Sequence, residues 1–161
     1  MRSITRSLAL AAIAALSTTG PVAAGEQRPI EGSYTVSVVG VMQRCGPNAL
    51  TIGFEGTGIV SHLGRITGEG SNCTEFTLAT DAVEIWDGLA TFVAADGSTI
   101  STSYEGVQHA PTAGAAVTES TFTVVSGTGR FADAAGVWAG TGTIDFTTGV
   151  FSGTLAGWIS Y

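Results

Sequence analysis

From Gly32 to Tyr161 the sequence keeps a two-residue rhythm, and no stretch of it repeats apolar residues at helical spacing. In the last segment Phe151, Leu155, Ile159 and Tyr161 share one face, and Ser152, Thr154 and Ser160 share the other. Trp138, Ile144 and Phe146 likewise oppose Ala139, Thr141, Thr143 and Asp145, while Tyr34, Val36 and Val38 alternate with Thr35 and Ser37. The same alternation sets Phe76 and Leu78 against Glu75 and Thr77, Ile100, Thr102 and Tyr104 against Ser101, Ser103 and Glu105, and Phe122 and Val124 against Glu119, Thr121 and Thr123. Turn signals punctuate these runs at Gly46-Pro47-Asn48, Gly70-Ser71-Asn72, Asp87-Gly88, Asp96-Gly97, Ala110-Pro111 and Thr147-Thr148-Gly149. Such a pattern predicts an all-β fold of about eight antiparallel strands, a sandwich or a closed barrel. Glycines lie inside the runs, as in GFEGTG (53–58) and AGTGTI (139–144). A glycine weakens a strand unless the sheet must bend sharply or accept a close neighbour, so their number predicts a small, strongly coiled barrel. One domain over 32–161 follows, with 25–31 as a short tail.

The first residues, MRSITRSLALAAIAALSTTGPVAAGEQ, carry the three parts of an export signal. Arg2 and Arg6 supply the positive region, Leu8 to Leu16 the apolar one, and Val22-Ala23-Ala24 a small-residue cleavage site. The apolar run is about half a bilayer span, so cleavage near Ala24 and release are expected rather than membrane insertion. Loss of Arg2 and Arg6 would take the net charge from -7 to -9, and the chain has no lysine. That surface repels phosphates and anionic headgroups, which argues against nucleic acid and membrane partners. Cys45 and Cys73 are the only cysteines. In an oxidising compartment an isolated pair predicts a disulfide, and closing a loop of about 28 residues stabilises by on the order of 3–4 kcal/mol. No histidine cluster or C-x-x-C accompanies them, so no metal site is expected.

SGTGRFADAAGVWAG, Ser126 to Gly140, contains Gly127, Gly129 and Ala132 in the G-x-G-x-x-A spacing of a dinucleotide fingerprint. That motif works only between a strand and a genuine helix, whose N-terminus faces the pyrophosphate. Here the helical candidate, Phe131 to Ala135, is one turn long and gives way to another strand at Gly136. No nucleotide or other cofactor is expected, and the stretch is a corner of the barrel.

The corner resembles a segment of the allene oxide cyclase and dirigent-protein superfamily, roughly G-G-T/S-G-x-F-x-x-A-x-G. Gly127, Thr128, Gly129, Phe131, Ala134 and Gly136 match, and Ser126 departs from the first glycine. The likeness covers about the C-terminal 45 residues, through GTIDFTTGVFSGTLAGWISY. A bacterial-type exported member of that superfamily is implied. So is an eight-stranded antiparallel barrel with a largely apolar central cavity, in plant members often a homo-oligomer. The matched residues are architectural, with Phe131 plugging one barrel end, and no catalytic residue carries over.

The densest ionisable cluster is SHLGR with Glu69 behind it. A turn at Leu63-Gly64 would bring His62 and Arg65 to a barrel mouth, where a base and a planar guanidinium address one ligand. His62, Arg65 and Glu69 are therefore the candidate ligand-binding residues, against the plainer reading of a polar hairpin end. His109 reads as a loop residue, and Glu105 and Glu119, opposite the aromatic face, as outward-facing. Asn72-Cys73-Thr74 is a glycosylation sequon. Three functions fit: a small hydrophobic ligand held in the cavity, a cofactor-independent cyclase or isomerase, or a structural barrel with a packed interior.

Overall fold

The computed structural model describes residues 25–46, 49–75, 82–109 and 114–161, the side chains of 42–44 excepted. Eight antiparallel strands follow one another around a closed barrel: β1 (Arg28–Gly46), β2 (Ala49–Val60), β3 (Gly64–Glu75), β4 (Ala82–Ala94), β5 (Thr99–His109), β6 (Ala115–Gly127), β7 (Ala135–Asp145) and β8 (Val150–Ser160). Each pairs with its sequence neighbours, and β1 closes the ring on β8 from Arg28↔Ile159 to Ser37↔Val150. Closure removes every unpaired edge, which is how an all-β chain avoids exposing one. Among the described residues no helix is long and apolar enough to cross a membrane.

The first strand starts earlier than the sequence suggests. Arg28 to Glu31, read as part of a tail, belong to β1 because Ile30 is buried and pairs with Gly157 of β8. Two turn signals also prove to lie inside strands. Gly70-Ser71-Asn72 falls in β3, with a register shift between Ser71 and Cys73, and Asp87-Gly88 falls in β4, with one between Ile85 and Gly88. Asp87 has φ 50°. In both ladders the extra residue is on β4, so Asp87-Gly88 is a β-bulge, while Gly70-Ser71-Asn72 keeps regular register with β2 and only faces that bulge. A bulge needs the same permissive residues as a turn but only tightens the coil of a continuing strand. Asp96-Gly97 and Thr147-Thr148-Gly149 are turns as expected, with Gly97 at φ 83° and Gly149 at φ 68°. Gly46-Pro47-Asn48 and Ala110-Pro111 reach outside the described residues, as do Phe76 with Leu78 and the export signal.

The glycines take their meaning from the register. Tyr34 stands between Gly58 of β2 and Gly153 of β8, Phe54 faces Gly70, Phe92 faces Gly68, Tyr104 faces Gly88 and Trp138 faces Gly157. A Cβ at Gly70 would lie 2.7 Å from the Phe54 ring, and one at Gly88 would lie 2.6 Å from the Tyr104 ring. Each large inward ring thus leans over a neighbouring strand where no side chain exists. A narrow barrel can then hold this many aromatics in its wall without overpacking.

One end is plugged. Ile30, Val60, Leu63, Ile66, Ala94, Ile100, Phe131, Trp138, Leu155 and Ile159 form the main buried cluster there. The SGTGRF stretch supplies its cap as a corner of the chain, with a single 3₁₀ turn at Gly129–Phe131 rather than a helical turn from Phe131 onward. Phe131 is 0% exposed, and its ring meets that of Tyr161 edge-on at 4.9 Å. Gly127 sits so close to the Phe131 carbonyl that no side chain would fit, and Gly129, at φ 60°, presses on Ser98. The corner is stitched to the β4–β5 turn by Arg130 N–H donating to Ser98 Oγ (3.2 Å) and by the Thr99–Thr128 hydroxyl pair (2.8 Å). Arg130 also donates to the Leu63 carbonyl at 3.2 Å, pairs with Asp96 at 3.2 Å and covers the Phe131 ring. The backbone N–H of Ser98 binds the Asp96 carboxylate and, with Arg130 adding a smaller effect, holds its pKa below the usual range.

Near the other end Cys45 of β1 and Cys73 of β3 are disulfide-bonded, with Cα atoms 5.9 Å apart. The bond spans β2, which lies between those two strands, so it ties together elements the sheet ladder joins only indirectly.

Candidate functional site

Between the plug and the opposite end lies a cavity of about 390 Å³. The alternation that made the strands also decides its walls. Inward positions of β1 contribute Tyr34, Val36 and Val38, β8 contributes Phe151 and Leu155, and β6 contributes Thr118, Ser120 and Phe122. The interior is therefore not fully packed. Its volume lies within the range of small-molecule sites, at roughly 300–1,000 Å³.

Aromatic rings build most of the wall. Phe122 stacks on Tyr104 at 4.7 Å and on Trp138 at 6.1 Å, and Phe92 meets both Phe122 and Trp138 at an angle. On the neighbouring strands β1 and β8, Tyr34 stacks on Phe151 at 5.5 Å. The Tyr34 hydroxyl and the Phe122 ring both lie over Gly140 of β7.

Few polar groups enter this space. Tyr104 donates its hydroxyl to Asn72 Oδ1 at 2.9 Å, and Asn72 Nδ2 donates to the Cys73 carbonyl at 3.2 Å. Asn72, at an inward position of β3 next to the disulfide, is thereby held toward the cavity. Asn72 was legible only as part of a sequon and of a turn signal, and nothing local in the sequence announces its bond to a tyrosine 32 residues away. The Tyr34 hydroxyl has no hydrogen-bond partner among the described residues and is not sealed from the cavity. Burial pushes its pKa up to about 12. Burial, with the neighbouring Tyr34 adding to it, pushes Tyr104 higher still. Both phenols are therefore neutral donors across the physiological range. Trp138 Nε1 is buried without a partner among the described residues, a state that destabilises by about 1–3 kcal/mol. Thr74, Glu75 and Gln108 lie toward the end of the lining away from the plug, and among the described lining residues Glu75 carries the only formal charge.

The sequence-predicted trio lies elsewhere. Leu63-Gly64 is indeed in a turn, with His62 at φ 64° and Gly64 at φ 75°. That turn, however, is at the plugged end, not at a mouth, because Leu63 inserts into the plug and leaves His62 exposed beside it. Arg65 and Glu69 both point outward, since the inward positions of β3 are those of Ile66, Gly68, Gly70 and Asn72. Glu69 faces Glu55 across β2–β3 and borders a depression on the outer wall with Leu89 and Val125. None of the three lines the central cavity. Glu105 and Glu119 are outward as expected, and His109 is exposed at the end of β5. Among the described residues no three His, Cys, Asp or Glu side chains gather in the way a metal site needs.

A scan against protein-family models and a search of curated proteins find no match to this sequence. A search of solved structures does: the chain resembles a pterocarpan synthase dirigent protein, with a TM-score of 0.53 and 15% sequence identity. The match covers 98% of this chain and 99% of that one. At this identity the likeness is one of fold, and the fold is a dirigent-like barrel.

Proposed function

We propose that this protein binds a small hydrophobic molecule in its central cavity, and that it does so outside the cytoplasm. One observation carries the reading: a cavity of about 390 Å³ lined largely by aromatic and aliphatic side chains with few polar groups, where a structural barrel would be filled. Among the described residues a plug closes one end and the lining runs toward the other. Export is supported by the signal-like first residues and by the Cys45–Cys73 bond, which persists in oxidising compartments.

N-phenyl-1-naphthylamine, an uncharged fluorophore that brightens on leaving water, tests the reading. Saturable binding with a Kd on the order of 10 μM is expected for a ligand of this size. Ser120→Trp, which fills the cavity from β6, should abolish it while the barrel still melts cooperatively. Absence of binding, or binding indifferent to Ser120→Trp, rules the cavity out as the site.

A second reading is favoured by the free Tyr34 hydroxyl. A cavity that holds a flexible, reactive substrate in one folded shape can direct its cyclisation without a cofactor. The solved dirigent protein is named a pterocarpan synthase, and a cyclase or isomerase of that general kind is the enzymatic alternative here. Ligand turnover abolished by Tyr34→Phe would distinguish it from simple binding.

A further inference from the structure

We propose that the cavity selects uncharged ligands that present a hydrogen-bond acceptor to the Tyr34 hydroxyl, and that it rejects carboxylates and other anions. This inference rests on the cavity-binding reading and sharpens it into a ligand class.

Three observations on the lining point the same way. One lining hydroxyl, Tyr34 Oη, has a free donor: its neighbour Tyr104 already donates to Asn72 Oδ1, Asn72 Nδ2 directs one N–H to the Cys73 carbonyl, and the unpartnered indole N–H of Trp138 is itself buried. Tyr34 packs against the plug cluster and stacks on Phe151, so its hydroxyl is fixed at the inner end of the aromatic lining. Among the described lining residues there is no Lys, Arg or His, and Glu75 adds a negative charge. An anion entering here would lose its water and gain no cation, an arrangement whose penalty is several-fold larger than that for a neutral polar group. The net charge of -7 opposes its approach as well. The aromatic lining accepts a flat apolar body of any kind, and the unspent Tyr34 hydroxyl rewards a ligand whose carbonyl or ether oxygen reaches it. Because burial keeps both phenols protonated, that donor persists throughout the neutral range.

The test uses three probes of one shape: naphthalene, 2-acetylnaphthalene and 2-naphthoate, titrated into the full chain at about pH 7. The ketone should bind about fivefold more tightly than naphthalene, the gain expected from one net hydrogen bond. The carboxylate should bind at least about thirtyfold more weakly than the ketone. Tyr34→Phe should bring the ketone down to the affinity of naphthalene. Should that variant not fold, the carbonyl stretch of the bound ketone in the wild-type protein replaces it: a shift to lower wavenumber relative to an apolar solvent supports the proposal, and its absence overturns it. A naphthoate affinity within threefold of the ketone, or a ketone no tighter than naphthalene, overturns the selection of neutral acceptors while leaving cavity binding intact. If neither naphthalene nor N-phenyl-1-naphthylamine binds, both readings fall together.

Discussion

Replacing Phe131 with alanine probes the link between the glycine-rich corner and the integrity of the barrel. The side chain is 0% exposed, so the whole ring lies in the plug and its deletion forfeits the full transfer term. The surroundings cannot collapse easily into the void. Ile30, Ile100 and Ile159 around it belong to strands locked in register, and Tyr161 packs edge-on at 4.9 Å. Deletion of a buried aromatic in such a site destabilises by about 3–5 kcal/mol, and the lost ring pair places this one toward the upper part of that range. The contact of Arg130 with the ring adds little, because that guanidinium is half in solvent and also held by Asp96 and the Leu63 carbonyl. Phe131→Leu, which keeps most of the volume, should lose less than half as much. Urea unfolding of the oxidised protein, followed by far-ultraviolet circular dichroism and fitted with a common m value, gives both numbers. A loss below about 1 kcal/mol for the alanine variant, a surface-like effect, would show that Phe131 does not plug the barrel.

Reducing the Cys45–Cys73 bond should lower stability by about 3.6 kcal/mol on the chain-entropy account, seen as a shift of the urea midpoint between oxidised and reduced, alkylated protein. A midpoint that does not move would mean that the β2 ladder alone already holds β1 and β3 in place. Alkali tests the cavity phenols. Since the Tyr34 pKa is raised from 10.0 to about 12, the stability it contributes is full below pH 10 and is lost as pH rises from 10 to 12. Ultraviolet titration of wild type against Tyr34→Phe should accordingly assign to Tyr34 a phenol ionising near 12, and one ionising near 10 would show that it is solvated.

The sequence by itself determined what is local. A side chain's face in a strand depends only on parity, so Tyr34, Val36 and Val38, or Ile100, Thr102 and Tyr104, could be assigned inward, and Glu105 and Glu119 outward, before any partner strand was known. The cysteine pair and the buried Phe131 of the corner were legible for similar reasons, through redox chemistry and a short turn motif. What tertiary structure decided was everything that depends on which residues face each other across strands. Gly70-Ser71-Asn72 and Asp87-Gly88 carry the chemistry of turns, and only the continuing ladders make the first a regular strand and the second a bulge. His62 and Arg65 were rightly set at a hairpin, yet which end of a barrel a hairpin caps is fixed by the plug that Leu63 joins, not by SHLGR. Likewise neither Tyr34 nor Asn72 stands out in sequence. The cavity arises because closure lays each large ring over a glycine of the next strand and stops the side chains short of the axis, a matter of register that no local pattern encodes.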